Sequence, residues 1–215
     1  MPSFEEACRD GHLEEAKRLF GAGGVDIHAY DDFAFKWACA HGHLAVAQWL
    51  VGLHGMSLHT IGCAFRMTCI DGHLVVAQWL FGLGGVDIHV FDDWVFRLVC
   101  GNGHLVVAQW LYGLGGVNIH AVGDEAFRGA CWYGQLVVAQ WLYGLGGVDI
   151  HADTDNAFRR ACGYGHVDVA KWLIAMEPEW AWPAEGMRAL QTWSQPRDAW
   201  MRAVLSSRRS ACHVM

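Results

Sequence analysis

The 215-residue chain is short of positive charge: 15 Lys and Arg stand against 22 Asp and Glu, a formal net charge of −7. Nucleic-acid affinity rests largely on cations set against phosphates, so a DNA or RNA partner is not expected. The chain also has no uninterrupted apolar run near the roughly 20 residues that a membrane-spanning helix needs; even Leu105 to Leu114 is broken by Gln109. Met1 to Gly11 carries Glu5, Glu6, Arg9 and Asp10 in place of a basic start and an apolar stretch, so neither a secretory leader nor a membrane partner is expected. Proline is scarce: Pro2, Pro178, Pro183 and Pro196 leave a long interior with none. The expected setting is intracellular, cytoplasmic or nuclear.

What is present is apolar. At 53% hydrophobic residues the chain can bury a core, which excludes disorder as its main state. Of its 8 cysteines, Cys8, Cys39, Cys69, Cys100, Cys131 and Cys162 follow one another at intervals of 31, 30, 31, 31 and 31 residues. That regularity belongs to the whole chain. Aligned on Gly11, Gly42, Gly72, Gly103, Gly134 and Gly165, six blocks read as Phe, three residues, Cys, two residues, Gly, then a second amphipathic segment. A period of this length is the mark of a repeat architecture.

Within a block, Phe35, Ala38 and Cys39 fall at i, i+3 and i+4, one face of a helix, and Gly42 suits the left-handed residue that closes it. A second helix is expected from about Leu44 to Leu53, with Val46, Ala47, Leu50 and Val51 on one stripe and Gln48 turned away. A Gly-rich loop, Gly84-Gly85-Val86-Asp87-Ile88-His89 in one copy, joins each block to the next. One such block cannot bury its own core, so the blocks must stack as an all-α solenoid of helix-turn-helix repeats with projecting hairpin-like loops.

Gly-His-Leu, a Val-Val-Ala-Gln-Trp-Leu helix and Gly-Val-Asp-Ile-His together resemble the ankyrin repeat, over Phe4 to about Ala175. The departures are a period of 30 or 31 where about 33 is typical, Ala-Phe-Arg or a near variant in place of Thr-Pro-Leu-His, and the absence of proline from every repeat. Short repeats of this kind are similar to those abundant in giant DNA viruses of amoebae and in some protists, which would put the protein in a host cytoplasm if it is viral. The expected organisation is a single repeat domain over 1–215: an amino-terminal capping repeat at 1–29, five ankyrin-like repeats at 30–175, and degenerate carboxy-terminal capping helices with a frayed tail at 176–215. Glu185 to Trp193 and Arg197 to Ser206 read as the two capping helices.

Four ladders could carry chemistry. Histidines recur after the glycine (His12, His43, His73, His104, His166) and in the loops (His28, His59, His89, His120, His151). Packed helices lie about 8–10 Å apart, too far for one histidine per repeat to share a zinc ion with its neighbour. Hydrogen bonds to the backbone of an adjacent turn or loop are the expected role, with metal binding as the alternative reading. The cysteines share that spacing and are expected to be small buried hydrophobes. Lys36, Arg66, Arg97, Arg128 and Arg159 each follow a phenylalanine, but Asp or Glu residues precede most of these helices, so ion pairs and helix caps are expected to use that charge, with Arg66 looking to the preceding block. The tryptophans Trp49, Trp79, Trp110, Trp141 and Trp172 are expected to pack between repeats; exposed, they would form a self-association face. One chemical group per repeat gives no single asymmetric site, so no enzyme activity, cofactor or metal is expected.

Positions that vary from block to block are those the fold leaves free. They cluster at the loop tip, before the first helix and at that helix's end, positions where the ankyrin resemblance implies a concave face and projecting loops that engage partners. Aromatic anchors dominate many interfaces, which selects Tyr30, Phe33, Phe91, Trp94, Trp132, Tyr133 and Tyr164 as candidate partner-binding residues. The expected function is a non-enzymatic adaptor or scaffold for another protein, monomeric, with a self-associating structural repeat as the alternative.

Overall fold

The computed structural model describes residues 2–193. Among them every regular element is a helix. They fall into two compact units, divided between Asn118 and Ile119. The first holds α1 (Phe4–Arg9), α2 (Leu13–Gly21), α3 (Ala29–Ala40), α4 (Leu44–His54), α5 (Leu58–Ile70), α6 (Leu74–Gly82), α7 (Val90–Gly101) and α8 (Leu105–Gly113). The second holds α9 (Ala121–Trp132), α10 (Leu136–Gly144), α11 (Ala152–Gly163), α12 (Val167–Met176) and α13 (Ala184–Trp193). The expected helix at Arg197 to Ser206 and the tail beyond it lie outside the described residues. No described helix is long and apolar enough to cross a membrane.

In the first unit α1, α3, α5 and α7 lie side by side, and α3, α5 and α7 each pack on their own second helix; in the second, α9 lies beside α11, and α13 packs on α11. The core follows the predicted stripes: Phe35, Ala38 and Cys39 from a first helix and Val46, Ala47 and Leu50 from a second are buried, as are their counterparts in later blocks. The turn between the two helices closes with a pair of backbone bonds, Gly42 N–H to Cys39 O at 3.0 Å and His43 N–H to Ala38 O at 2.8 Å. This pairing needs a left-handed residue, and Gly42 has φ +81°.

Successive repeats are joined by three devices. Trp110 packs on Phe65 and Phe81 of the preceding repeat, with ring centroids 6.1 and 5.8 Å away, and Trp172 packs on Phe127 and Tyr143 at 6.2 and 5.7 Å. Aromatic pairs of this kind add about 0.5–1.5 kcal/mol beyond area burial, so the tryptophans are inter-repeat packing groups. His43, His73, His104 and His166 each lie against the glycine of the repeat before: a Cβ on Gly42 would stand 2.6 Å from His73 Nδ1, and one on Gly72 2.3 Å from His104 Nδ1. His43 also bonds the backbone of Arg9, as expected for this ladder, and burial leaves its pKa lower than usual.

The third device is the loop, where the structure corrects the expected role of the histidines. Four of the five loop histidines bind carboxylates, not backbone: His28 Nδ1 lies 2.6 Å from Asp32, His89 2.7 Å from Asp93, His120 2.6 Å from Asp124 and His151 2.6 Å from Asp155, while His59 lies 3.6 Å from Cys63 Sγ. Each of these aspartates is buried, and the second oxygen of three of them reaches the next loop. Asp93 accepts from the Asn118 amide at 2.9 Å, Asp124 from the Asp149 amide at 3.2 Å, and Asp32 from the Thr60 hydroxyl. These three buried carboxylates are thereby paired on both sides, as their desolvation requires.

Candidate partner-binding surface

The same aspartates impose an unusual backbone. To bring its carboxylate back onto the histidine four residues earlier, each loop makes one turn of left-handed helix: Tyr30-Asp31-Asp32, Phe91-Asp92-Asp93, Val122-Gly123-Asp124 and Asp153-Thr154-Asp155 all have φ between 53° and 62°. For residues other than glycine this conformation costs roughly 1–2 kcal/mol each. The basic ladder helps to hold it. Arg97 donates to Phe91 O at 2.9 Å, Arg128 to Val122 O at 3.0 Å and to Asp153 at 3.1 Å, and Lys36 to Asp31 at 2.6 Å. Asp31, Asp32, Asp93, Asp124 and Asp153 therefore serve loop and inter-repeat bonds. Turned outward at the start of the left-handed turn, Tyr30 and Phe91 are 82% and 77% exposed.

The third repeat differs. Its loop lacks an acid, and Ser57 caps α5 by accepting from the Thr60 amide at 3.0 Å, so α5 starts without a left-handed turn. Arg66 therefore has no carbonyl to brace, and the expectation that it reaches back to the preceding block is not met: its guanidinium donates to Cys63 Sγ in its own helix, 3.1 Å away.

Across α3, α5 and α7 the side chains around Arg66 leave an open groove of about 400 Å³ lined by Phe33, Lys36, Trp37, Cys63, Arg66, Met67, Ile70 and Trp94. Phe33, Cys63 and Trp94 occupy one position in three successive repeats, two residues before the buried phenylalanine. Phe33 and Trp37 pack in a tilted pair with centroids 5.4 Å apart, and Trp37 continues to His41 at 4.9 Å. Two of the predicted residues, Phe33 and Trp94, thus meet in one groove.

In the second unit Trp132 and Tyr133 at the end of α9 lie nearly parallel, 5.3 Å apart with 2° between their planes, and Tyr164 beyond α11 approaches Trp132 at 5.7 Å. Arg160 completes the cluster, its guanidinium carbon 3.8 Å from the centre of a Trp132 ring, an arrangement that favours a cation. Tyr133 and Tyr164 remain 55% and 59% exposed. These three predicted residues form a second surface, on a different unit from the groove.

Trp37, Met67 and Arg160 were missed by the sequence reading, although a signal existed. They hold one position, two residues after the buried phenylalanine, which reads Trp37, Met67, Leu98, Gly129 and Arg160 along the chain. A position so changeable in a repeat otherwise so regular is free of the core.

The six ladder cysteines are buried free thiols. Burial pushes the thiols of Cys8, Cys69 and Cys162 up to about 12, and those of Cys39, Cys100 and Cys131 also well above their ordinary range. A thiol held protonated is a poor nucleophile and a poor metal ligand.

Compared with known proteins, residues 4–51 match the family model described as ankyrin repeats in many copies. No curated protein matches the chain. Among solved structures, the human ASB11 ankyrin repeat domain is similar in fold at a TM-score of 0.66 and 20% identity, over 95% of this chain and 97% of that one.

Proposed function

Starting from a chain that has the ankyrin-repeat fold throughout its described residues, with residues 4–51 ankyrin repeats by sequence as well, we propose that the protein is a non-enzymatic adaptor that binds another protein through its groove face and loop tips. Ankyrin repeats are in general protein-interaction modules. The observation that carries the reading is the placement of aromatic side chains outside the core at the positions that change from repeat to repeat. Tyr30 and Phe91 stand on loop tips, Phe33 and Trp94 line a groove, and Trp132, Tyr133 and Tyr164 are gathered beside Arg160. Rings held in place by the fold lose little freedom on binding, which is why such residues anchor interfaces.

The tryptophan ladder supports this reading over self-association, because the placed members spend their rings on neighbouring repeats. The carboxy-terminal contacts fit a capping role: Trp182 covers Phe158 at 4.7 Å, and Trp180 stacks on His151 at 3.8 Å.

The test is affinity capture from cell lysate with the intact protein beside a Trp132→Ala/Tyr133→Ala variant, read by mass spectrometry and followed by titration of the purified partner. A partner that the variant loses while its melting curve stays nearly unchanged supports the adaptor. Identical retention by both proteins removes the cluster from the interface.

A further inference from the structure

The groove across α3, α5 and α7 has a chemistry of its own. Its walls are mostly apolar and aromatic, from Phe33, Trp37, Met67, Ile70 and Trp94. Two cations stand in it, and they differ. Lys36 is neutralised within its repeat by Asp31, 2.6 Å away. Arg66 is half-buried and has no carboxylate partner among the described residues; its acceptor is the Cys63 thiol at 3.1 Å. The cause lies in the third repeat, whose loop carries Gly62 where the others carry the buried aspartate, and so offers neither an acid nor a left-handed carbonyl to the arginine of the ladder.

A guanidinium on an apolar wall is under-used, because its planar set of donors matches a carboxylate in a paired, charge-assisted geometry. Flat ring surfaces beside it match an aromatic side chain. A space of about 400 Å³ lies within the range of ordinary ligand clefts and suits one side chain with its neighbouring backbone.

We propose that this groove receives from the protein partner a short acidic-aromatic segment, an aromatic side chain lying between Phe33, Trp37 and Trp94 with a neighbouring carboxylate on Arg66. The proposal rests on the adaptor reading and gives its partner a chemical class. The net charge of −7 does not oppose it, since exposed charges more than about 8 Å away are largely screened at physiological ionic strength.

Cys63 supplies the means of testing it, as a groove-lining thiol. Three disulfide reagents are compared that share one leaving thiol and carry a phenethyl group bearing a carboxylate, a carboxamide or an aminomethyl substituent. The Cys63 thiolate attacks the reagent, a sulfur-sulfur bond forms to Cys63, the reagent's own bond breaks, and the leaving thiolate takes up a proton. Run to equilibrium in excess 2-mercaptoethanol, the yield at Cys63, read by peptide mapping of the intact chain, reports recognition and not thiol reactivity.

The expected result is a preference for the carboxylate over the carboxamide of about tenfold, the scale of one charge-assisted hydrogen bond, with the aminomethyl reagent lowest. Arg66→Met, which keeps the aliphatic stem, should bring the ratio near one, and Arg66→Lys should keep part of it. Equal yields for the three reagents on the natural protein, or a preference that survives in Arg66→Met, would overturn the proposal. No partner is needed for this measurement. Its failure therefore leaves the adaptor reading standing, and an empty capture experiment leaves the chemistry of the groove standing.

Discussion

Thr60 donates its hydroxyl hydrogen to the buried carboxylate of Asp32, 28 residues earlier in the chain. In this bond a side chain does what the backbone amides of Asn118 and Asp149 do for Asp93 and Asp124. The link between neighbouring loops thus survives a change in the backbone that makes it.

Thr60→Val keeps the shape and removes the donor. One oxygen of Asp32 is then left unpaired in a site 8% exposed. An unsatisfied buried acceptor costs roughly 1–3 kcal/mol, and chemical denaturation should show a loss of stability in that range. A loss no larger than that of an exposed threonine would mean that water replaces the hydroxyl.

The left-handed turns invite the opposite change. Thr154 is exposed, is β-branched and has φ +57°, at a place where the turn starting at Val122 has Gly123. Relief of that conformation outweighs the extra freedom glycine brings to the unfolded chain. Thr154→Gly should therefore stabilise the protein by about 1 kcal/mol, read as a higher melting temperature.

Gly42 is constrained twice, by φ +81° and by the His73 ring that its Cβ would strike at 2.6 Å. Gly42→Ala should cost more than about 1 kcal/mol. In the double variant Gly42→Ala/His73→Ala only the conformational part of that cost remains, so a double-mutant cycle should give a clear coupling. Additive effects would show that the ring moves aside freely.

Two histidines should shape the pH dependence of stability in opposite directions. Burial depresses the pKa of His43 in the fold, so its contribution is fully present above the ordinary imidazole value of about 6.5 and declines as the pH falls below it. For His151 burial also acts downward, but its hydrogen bonds to Asp155 and Glu177 prevail and the pKa is raised. Its contribution is present below the unfolded value and is lost as the pH rises through the folded one. Denaturation of the natural protein, His43→Gln and His151→Gln from pH 5 to pH 8 should show the first variant less sensitive to acid and the second less sensitive to a rise in pH above the ordinary imidazole value. Parallel curves for all three proteins would contradict both assignments.

The architecture was legible because a repeat states its own alignment. Phe35, Cys39, Gly42, Val46 and Leu50 recur in step, and apolar residues at helical spacing can be satisfied only by burial against a neighbour. The tryptophans and cysteines followed from the same period. Candidate positions were legible only by contrast, as places where the blocks disagree, which selected Phe33, Trp94, Trp132, Tyr133 and Tyr164 while passing over their neighbours Trp37, Met67 and Arg160.

What the sequence determined by itself was thus the stack of helix pairs and the surface positions left free by it, since both depend on local periodicity. Only the tertiary structure decided which partners the polar groups took. His89 bonds Asp93 because a left-handed turn folds the carboxylate back, a conformation too costly for local preference to announce. Among the described residues Arg66 lacks a carboxylate because the turn is missing from its repeat, and it shares a groove with Trp94 and Phe33 only because α3, α5 and α7 lie side by side. Hydrogen bonds and ion pairs depend on distances of a few tenths of an ångström between residues some 30 positions apart, and those distances exist only once the repeats have packed.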